Sequence, residues 1–369
     1  MKNERFVRIL GVLALLVLVI YILSCRPSWS PDSKKIAYVY MTDDVGGIGL
    51  YDLATQENAS ILEIAKKDKT PVPLEVFWLQ SGKELLYFSS SGDKENGEEG
   101  VVSSYDLKTG KHKRVSRFRV PGLSASSASF FIHLERERWL WIFGEKGYYR
   151  VDIKTGKRRV LSKEGEPAIF SDGENIFYIR EQGEGEGKRY TIGKIRTWFY
   201  YKEQDLFTLP HKGSQIVSPL LTVPSSKTQF AYIMIQEGKT SLEILSSKGK
   251  TLQSIPLPDE LNLNLESVRP AFSSLWAPKG DRLWFAAGIK GEEKACGIVE
   301  VNLSDQSCKI IKFDPEIYQK IETIFHFSLS PDGSALALSL AAGDNTSLCI
   351  LNVQTDERKP AFIKAPLRK

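Results

Sequence analysis

Residues 29–40 read Trp29-Ser30-Pro31-Asp32-Ser33-Lys34-Lys35-Ile36-Ala37-Tyr38-Val39-Tyr40, and the rest of the chain repeats this stretch with variations. Proline presets φ in a turn, aspartate bonds to its own backbone, and a small residue or glycine accepts a left-handed conformation, so the Ser-Pro-Asp segment predicts a tight turn. The run after it alternates and is rich in β-branched and aromatic residues, as strands are. Each copy therefore predicts a β-hairpin.

Further copies complete a set of seven. Clear ones begin at Trp78, Trp276 and Leu329, and fainter ones begin at His133, Ile169 and Val223. A third strand and a second hairpin follow each copy, and four-stranded units at a spacing of roughly 40–55 residues are typical of a β-propeller. The sequence predicts an all-β fold, a seven-bladed β-propeller of four-stranded antiparallel blades. The predicted blades span 26–75, 76–125, 126–165, 166–214, 215–267, 268–322 and 323–369.

The tryptophan, the Ser-Pro-Asp-Gly turn at 330–333 and the Lys-Lys-Ile-Ala-Tyr run at 34–38 resemble the TolB-like (WD40-like) propeller repeat of bacterial envelope proteins. The resemblance covers nearly the whole chain after residue 25. It implies the fold strongly and the function weakly, because this repeat recurs in receptors, scaffolds, peptidase side domains and lyases.

The N-terminal segment 1–25 resembles a targeting sequence. A short basic head precedes an apolar run from Ile9 to Leu23, and Ile22-Leu23-Ser24-Cys25 resembles a lipoprotein signal box that would leave Cys25 lipidated. An uncleaved membrane helix extending back to Phe6 is the alternative, since the length of the run does not separate the two. Both interpretations predict a propeller outside the cytoplasm, in the cell envelope and attached to a membrane, with 26–369 as one domain.

Histidines and carboxylates give little sign of a metal or catalytic centre. The chain has only His112, His133, His211 and His326, whereas the pectin-fragment lyases among TolB-like propellers use histidine-rich metal sites. His133 aligns with Trp29, and His326 lies on a predicted innermost strand without a second histidine in register. The aspartates of the repeat turn, Asp32, Asp172 and Asp332, are predicted to bond within their turns. We therefore expect no metal and no cofactor.

Two acidic loops, 93–99 and 181–187, lack the alternating spacing of a calcium hand and are interpreted as solvated loops. Gly46-Gly47-Ile48-Gly49 is interpreted as a turn, because it opens no helix. Of the four cysteines, Cys308 is expected opposite a residue near Asn302, which disfavours a bridge to Cys296 and favours free thiols.

Basic residues collect in the predicted third-to-fourth-strand hairpins of blades two and three. They are predicted to form either a solvated rim or a docking surface for an acidic protein or an anionic glycan. The residues of this predicted rim are Lys111, Lys113, Arg114, Lys157, Arg158 and Arg159.

The net charge of +5 is mild and does not indicate a nucleic-acid partner. No nucleophile elbow, phosphate-binding glycine loop or zinc-helix motif occurs in the sequence. We therefore predict a protein that is not an enzyme, a membrane-anchored envelope scaffold that binds another envelope protein. The alternative is an extracytoplasmic propeller that binds or cleaves a glycan at the channel mouth, near Ser127, His326 and Ser328.

Overall fold

The computed structural model describes residues 27–42, 44–65, 72–91, 99–119, 131–135, 137–144, 147–162, 168–171, 175–182, 189–196, 203–209, 215–216, 221–222, 229–263, 274–277, 279–290, 296–312, 323–342, 345–354 and 361–363. These residues form strands and turns, without a helix, and the strands make seven antiparallel sheets in chain order. The fold is a β-propeller.

The first four sheets each contain four strands. Sheet one contains β1 (Ser28–Trp29), β2 (Lys35–Met41), β3 (Val45–Asp52) and β4 (Asn58–Ala65). Sheet two contains β5 (Pro73–Trp78), β6 (Glu84–Ser91), β7 (Glu99–Asp106) and β8 (His112–Arg119). Sheet three contains β9 (Phe131–Glu135), β10 (Trp139–Gly144), β11 (Gly147–Asp152) and β12 (Arg158–Ser162). Sheet four contains β13 (Ala168–Ser171), β14 (Asn175–Gln182), β15 (Arg189–Arg196) and β16 (Glu203–Thr208).

Sheets five and six each contain five strands, and sheet seven contains four. Sheet five contains β17 (Gln215–Ile216), β18 (Leu221–Thr222), β19 (Gln229–Gln236), β20 (Lys239–Ser246) and β21 (Thr251–Pro256). Sheet six contains β22 (Leu261–Asn262), β23 (Ser274–Trp276), β24 (Arg282–Ile289), β25 (Cys296–Asn302) and β26 (Ser307–Lys312). Sheet seven contains β27 (Thr323–Leu329), β28 (Ala335–Ala342), β29 (Asn345–Asn352) and β30 (Ala361–Ile363).

The prediction of four strands per unit is wrong for sheets five and six, which have five. In each of them two short strands share the first position: β17 and β18 both pair with β19, and β22 and β23 both pair with β24. Two predicted boundaries also shift. Sheet two begins at Pro73, before residue 76, and sheet six begins at Leu261, inside the segment 215–267.

The repeat turn forms as its residues predict. In sheet one the Ser30 hydroxyl donates to Asp32 Oδ1 at 2.6 Å and accepts from the Lys35 backbone N–H at 2.8 Å. Ser330 and Asp332 reproduce the first bond at 2.6 Å, and Gly333 supplies a φ of +73°. The turn role of Asp32 and Asp332 is therefore confirmed, while Asp172 lies outside the described residues.

Gly46 to Gly49 form part of strand β3, so their interpretation as a turn is wrong. Their lack of side chains makes room for two tyrosine rings on the neighbouring strand. A Cβ on Gly49 would lie 2.5 Å from the Tyr38 ring, and one on Gly47 would lie 2.8 Å from the Tyr40 hydroxyl. The glycines therefore serve packing within the sheet.

The chain divides into two compact units, one with sheets one, two, three and seven, and the other with sheets four, five and six. Within the first unit, sheets one and seven share an apolar cluster that includes Trp29, Ile36, Ala337 and Leu348. The Trp29 indole N–H also donates to the Ser328 carbonyl at 3.1 Å. Each of the two sheets is made of its own consecutive strands, so they meet by packing without strand exchange, as predicted.

Several sequence predictions lie outside the described residues: segment 1–25 with Cys25, Ser127, His211 and most of both acidic loops. In the part of the chain that is described, no helix is long and apolar enough to cross a membrane. Cys308 and Cys349 are free thiols, and Cys308 pairs with Val301, one position from the expected Asn302. Burial raises the pKa of Cys308 to about 11, so it is a poor nucleophile at neutral pH.

Candidate functional site

A β-bulge in the outer strand of sheet two gathers its cationic side chains on one face. Arg119 and Arg117 pair with Glu99 and Val101, but the register then shifts, so Arg114 pairs with Ser103. Because directly paired residues point to the same side of a sheet, the shift places residues three apart on one face. We call this set the basic stripe; its members are His112, Arg114, Arg117 and Arg119, and all four are exposed.

The basic stripe lies on the side of sheet two that packs against sheet one. Tyr87 and Leu85, which share that side, belong to a buried cluster with Ala37 and Val39 of sheet one. Tyr105 packs at the edge of this cluster. The stripe therefore continues outward from the apolar contact between the two sheets.

Sheet one faces the stripe with apolar residues. A similar bulge in β4 lets Ile61 and Leu62 both pack at the edge of the shared cluster. Ala59 and Ile64 lie on the same side of β4 as Leu62. Their partners on β3, Leu50 and Gly46, lie on the same side of that strand as Ile48, which pairs with Leu62. We call these two facing surfaces of β4 and β8 the outer cleft, with an apolar wall on sheet one and a cationic wall on sheet two.

His112 lies at one end of the stripe against two tyrosines. Its ring centroid is 4.6 Å from that of Tyr105, and the Tyr87 hydroxyl lies 3.4 Å from its Nδ1. Burial lowers the pKa of His112 from its ordinary 6.5, so the imidazole is mostly neutral at pH 7. Sheet one has the same arrangement with a different residue, since Tyr38 donates to Asn58 Oδ1 at 2.8 Å.

Arg117 is the member of the stripe with an observed acidic partner. Its Nε lies 3.1 Å from Glu99 Oε1, and the arginine side chain remains 55% exposed. An exposed pair of this kind contributes little to stability, so Arg117 can exchange Glu99 for another anion at small cost.

The outer hairpin of sheet three lies against the same strand from the other side. A Cβ built on Gly156 would lie 2.9 Å from the Arg117 carbonyl oxygen. Arg158 donates from Nη1 to the Arg119 carbonyl, and its guanidinium lies 5.9 Å from the Tyr149 ring centroid. The structure therefore brings Lys157 and Arg158 next to the outer end of β8.

The predicted rim is only partly assembled. Arg114 lies on the stripe, whereas the exposed Lys157 and Arg158 approach β8 from the side of sheet three. Lys113 pairs with Ser104 on the opposite face of β8, and Lys111 lies in the turn before that strand. Sequence reasoning missed Arg117 and Arg119, whose signal was the basic-rich run from 111 to 119 interrupted by Val115.

Arg159 lies on the face of sheet three that points away from sheet two. It pairs directly with Arg150, whose guanidinium lies 3.9 Å from the Trp139 ring centroid and 5.2 Å from that of Trp141. Cation–π contacts of this kind stabilise a guanidinium beside a like charge. Arg159 therefore lies on the opposite face of sheet three from Arg158.

Asp152 anchors the inner end of the same hairpin. Arg138 donates to its Oδ2 from Nε and Nη2, each at 3.0 Å. Burial acts to raise the pKa of Asp152, but hydrogen bonds from Arg138 and from the backbone N–H groups of Thr155 and Lys154 lower it overall. The carboxylate is thus a structural anion that holds the basic hairpin in place.

The remaining histidines occupy other positions. His326 is 5% exposed on β27. His133 is not the counterpart of Trp29. In sheets one, two and six, the residue that pairs with the second residue of the next strand is Trp29, Trp78 and Trp276, respectively. In sheet three this position is held by Leu134. Among the residues that the structure describes, no group of three or more His, Cys, Asp or Glu side chains could hold a metal ion.

Solved structures share this fold over nearly the whole chain. Oligogalacturonate lyase from Vibrio parahaemolyticus aligns with 92% of this chain and 93% of its own, at 12% identity and a TM-score of 0.55. An oligogalacturonate lyase in complex with manganese aligns with 93% and 90%, at 14% identity and a TM-score of 0.54. No protein-family model and no curated protein matches the sequence.

The third similar structure is the β-propeller domain of the Trilobed protease from Pyrococcus furiosus, described as having an open velcro topology. It aligns with 93% of this chain and 98% of its own, at 14% identity and a TM-score of 0.53. At these identities the three likenesses show the β-propeller fold.

The comparisons contradict the prediction of a non-catalytic protein-binding scaffold, and with it the prediction that the protein is not an enzyme. The three similar structures named above, each covered over nine tenths or more of its length, are two lyases and a domain of a protease. The sequence contains no contiguous catalytic motif, and the prediction was based on that absence. In a propeller, separate loops and blades supply a site, so no contiguous motif need exist.

Proposed function

We propose that the protein is a carbohydrate-active propeller that binds and cleaves an acidic glycan outside the cytoplasm. The observation that carries this proposal is the basic stripe. A chain of sugar acids presents carboxylates at regular intervals, and guanidinium groups bind carboxylates with charge-assisted hydrogen bonds. Two of the proteins with the same fold are lyases of oligogalacturonate, which is such a chain.

The proposal extends to the whole chain. Each of the seven sheets would be one blade of a ring over residues 26–369, built from TolB-like repeats. Segment 1–25 would export the propeller and tie it to a membrane, with Cys25 as the lipidated residue. A Cys25→Ala variant is expected to lose the lipid and leave the membrane fraction. Mass spectrometry of the N-terminal peptide distinguishes this outcome from an uncleaved helix, which would survive the substitution.

Binding and cleavage are tested together with the purified propeller. A panel of acidic glycans, polygalacturonate among them, is compared with neutral glycans of similar length by calorimetry, while product formation is followed by mass spectrometry. Binding and cleavage of an acidic glycan, with weakening of binding as salt rises, are expected. If no acidic glycan is bound or cleaved, the proposed function is wrong.

A further inference from the structure

We propose that the outer cleft between β4 and β8 is a binding site for an extended acidic glycan. Carboxylates would lie along the basic stripe, and the apolar faces of the sugar rings would lie on the wall formed by Ala59, Leu62 and Ile64. This inference rests on the proposed function and names the surface that holds its substrate.

The charge of the basic stripe favours an anionic ligand. Three arginines and His112 line one wall, and the acidic residue on the same face is Glu99 of β7, which pairs with Arg117. Among the described residues of β4 and β8 that face the cleft none is acidic. Glu63 points to the other side of β4, because its partner Gly47 alternates with Ile48. Three arginines, which remain charged at any physiological pH, therefore lie on the face of sheet two that is turned towards an apolar face of sheet one.

The apolar wall on sheet one favours a ligand that also has apolar faces. Ile61 and Leu62 are half-buried, and Ala59 is exposed. Binding sites for organic ligands commonly join apolar walls with a few polar groups that fix orientation. A ligand with ionised groups along one edge and carbon-bound hydrogens on its faces fits both walls, whereas a neutral chain leaves the guanidinium groups without anions.

The length of the stripe favours an extended ligand. From His112 to Arg119 a strand extends roughly 20 Å, at about 3.4 Å per residue with one residue taken up by the bulge. The stripe is therefore long enough for several sugar units in an extended chain. A single sugar acid would contact only one or two of the side chains in the stripe, so we expect affinity to grow with chain length.

The experiment compares two sets of variants in the whole protein. The stripe variant combines Arg114→Ser, Arg117→Gln and Arg119→Ala. The new residues match in size those at the equivalent positions of sheet one, which are Ser60, Glu63 and Ala65. The matched control is Lys113→Ala, which removes a cation from the same strand but from the opposite face. Affinity for polygalacturonate oligomers of increasing length is measured by calorimetry, and folding is checked by circular dichroism.

The stripe variant is expected to bind more weakly by about tenfold or more, while Lys113→Ala stays within about twofold of the parent protein. Methyl-esterified polygalacturonate, which keeps the sugar chain and loses the charge, should bind as weakly to the parent protein as the acidic polymer binds to the stripe variant. A second variant, Leu62→Ser, probes the apolar wall and is expected to weaken the acidic polymer further.

Three results would overturn the inference. The first is an acidic glycan that binds both the stripe variant and the parent equally well; this result leaves the proposed function intact and places the site elsewhere. The second is equal loss in the stripe variant and in Lys113→Ala, which indicates general attraction to positive charge. The third is equally tight binding of polyglutamate, which indicates a site for any polyanion.

Discussion

His112 shows how one residue can belong to both the packing of a sheet and a binding surface. It occupies the position of Asn58 in sheet one, and in both sheets a tyrosine of the second strand reaches it, Tyr87 in one case and Tyr38 in the other. The position is therefore structural in origin. Sheet two differs because the residue titrates and lies in line with three arginines.

A first prediction concerns the pH dependence of stability at this residue. The folded protein keeps His112 neutral because its pKa is lowered, whereas the unfolded chain takes up a proton at the ordinary 6.5. The contribution of neutral His112 to the free energy of unfolding is therefore fully present above pH 6.5, and it is lost as the pH falls through the lowered pKa. The melting temperature should fall between pH 7.5 and pH 5.5 more for the parent than for His112→Asn. Parallel pH profiles of the two proteins would contradict the prediction.

At the scale of the strand, a register shift recurs between the third and fourth strands of sheets one to five. The extra residue is apolar in every case: Ile61, Val115, Leu161, Leu206 and Leu252. Ile61, Val115 and Leu206 pack against cores, while Leu252 is 49% exposed. The bulge is thus a repeated element, and its effect on the alternation of side chains is what creates the basic stripe.

A second prediction concerns the outer hairpins, which lie on the preceding sheet. Gly249 has a φ of +78°, and a Cβ there would lie 2.5 Å from the Phe207 ring of sheet four. Gly238 has a similar φ of +76° with no atom within 4 Å. Gly249→Ala should therefore destabilise the protein by about 1–3 kcal/mol more than Gly238→Ala, the excess being the cost of the clash.

Urea denaturation of both glycine variants measures this difference. Because the two backbones share the same left-handed conformation, their strain cancels in the comparison. Equal free energies of unfolding would mean that the hairpin of sheet five does not depend on its contact with Phe207. The double variant Gly249→Ala with Phe207→Ala should recover part of the loss.

At the scale of the whole molecule, the first and last sheets meet through apolar packing and single hydrogen bonds that involve a side chain of sheet one. Sheets one and seven are each built from consecutive strands, and the cluster around Trp29 and Leu348 joins them. No backbone hydrogen-bond ladder between strands of the two sheets supports this contact in the described residues. The stability of the contact therefore rests on apolar burial and on two hydrogen bonds, from the Trp29 indole to the Ser328 carbonyl and from the Asp332 backbone N–H to the Ser33 hydroxyl.

A third prediction tests how much the contact between sheets one and seven matters. Leu348 lies in the cluster that joins them, and Leu245 lies in the cluster of sheets four and five; both are 0% exposed. Replacing either with alanine should cost about 2–5 kcal/mol, because each change leaves a cavity. Urea denaturation gives both values. A cost for Leu348→Ala well below that for Leu245→Ala would show that sheets one and seven separate before the protein unfolds.

The turns and the hairpins were determined by sequence alone. Ser30, Asp32, Ser330 and Asp332 make the bonds that their spacing predicts, because a turn depends on residues within a few positions of each other. In the described residues, the absence of strand exchange between sheets one and seven followed from the same local pattern. A functional class could not be inferred in this way, and the prediction of a scaffold was wrong.

Tertiary structure decided which residues share a surface. Arg158 and Arg159 are adjacent in sequence and lie on opposite faces, whereas Arg114 and Arg117 share a face because of the bulge at Val115. Gly47 and Gly49 become strand residues because two tyrosine rings of a neighbouring strand need their space. Such outcomes depend on strand register and on side chains that meet across sheets. Neither is set by local propensity, since a shift of one residue moves every later side chain to the other face.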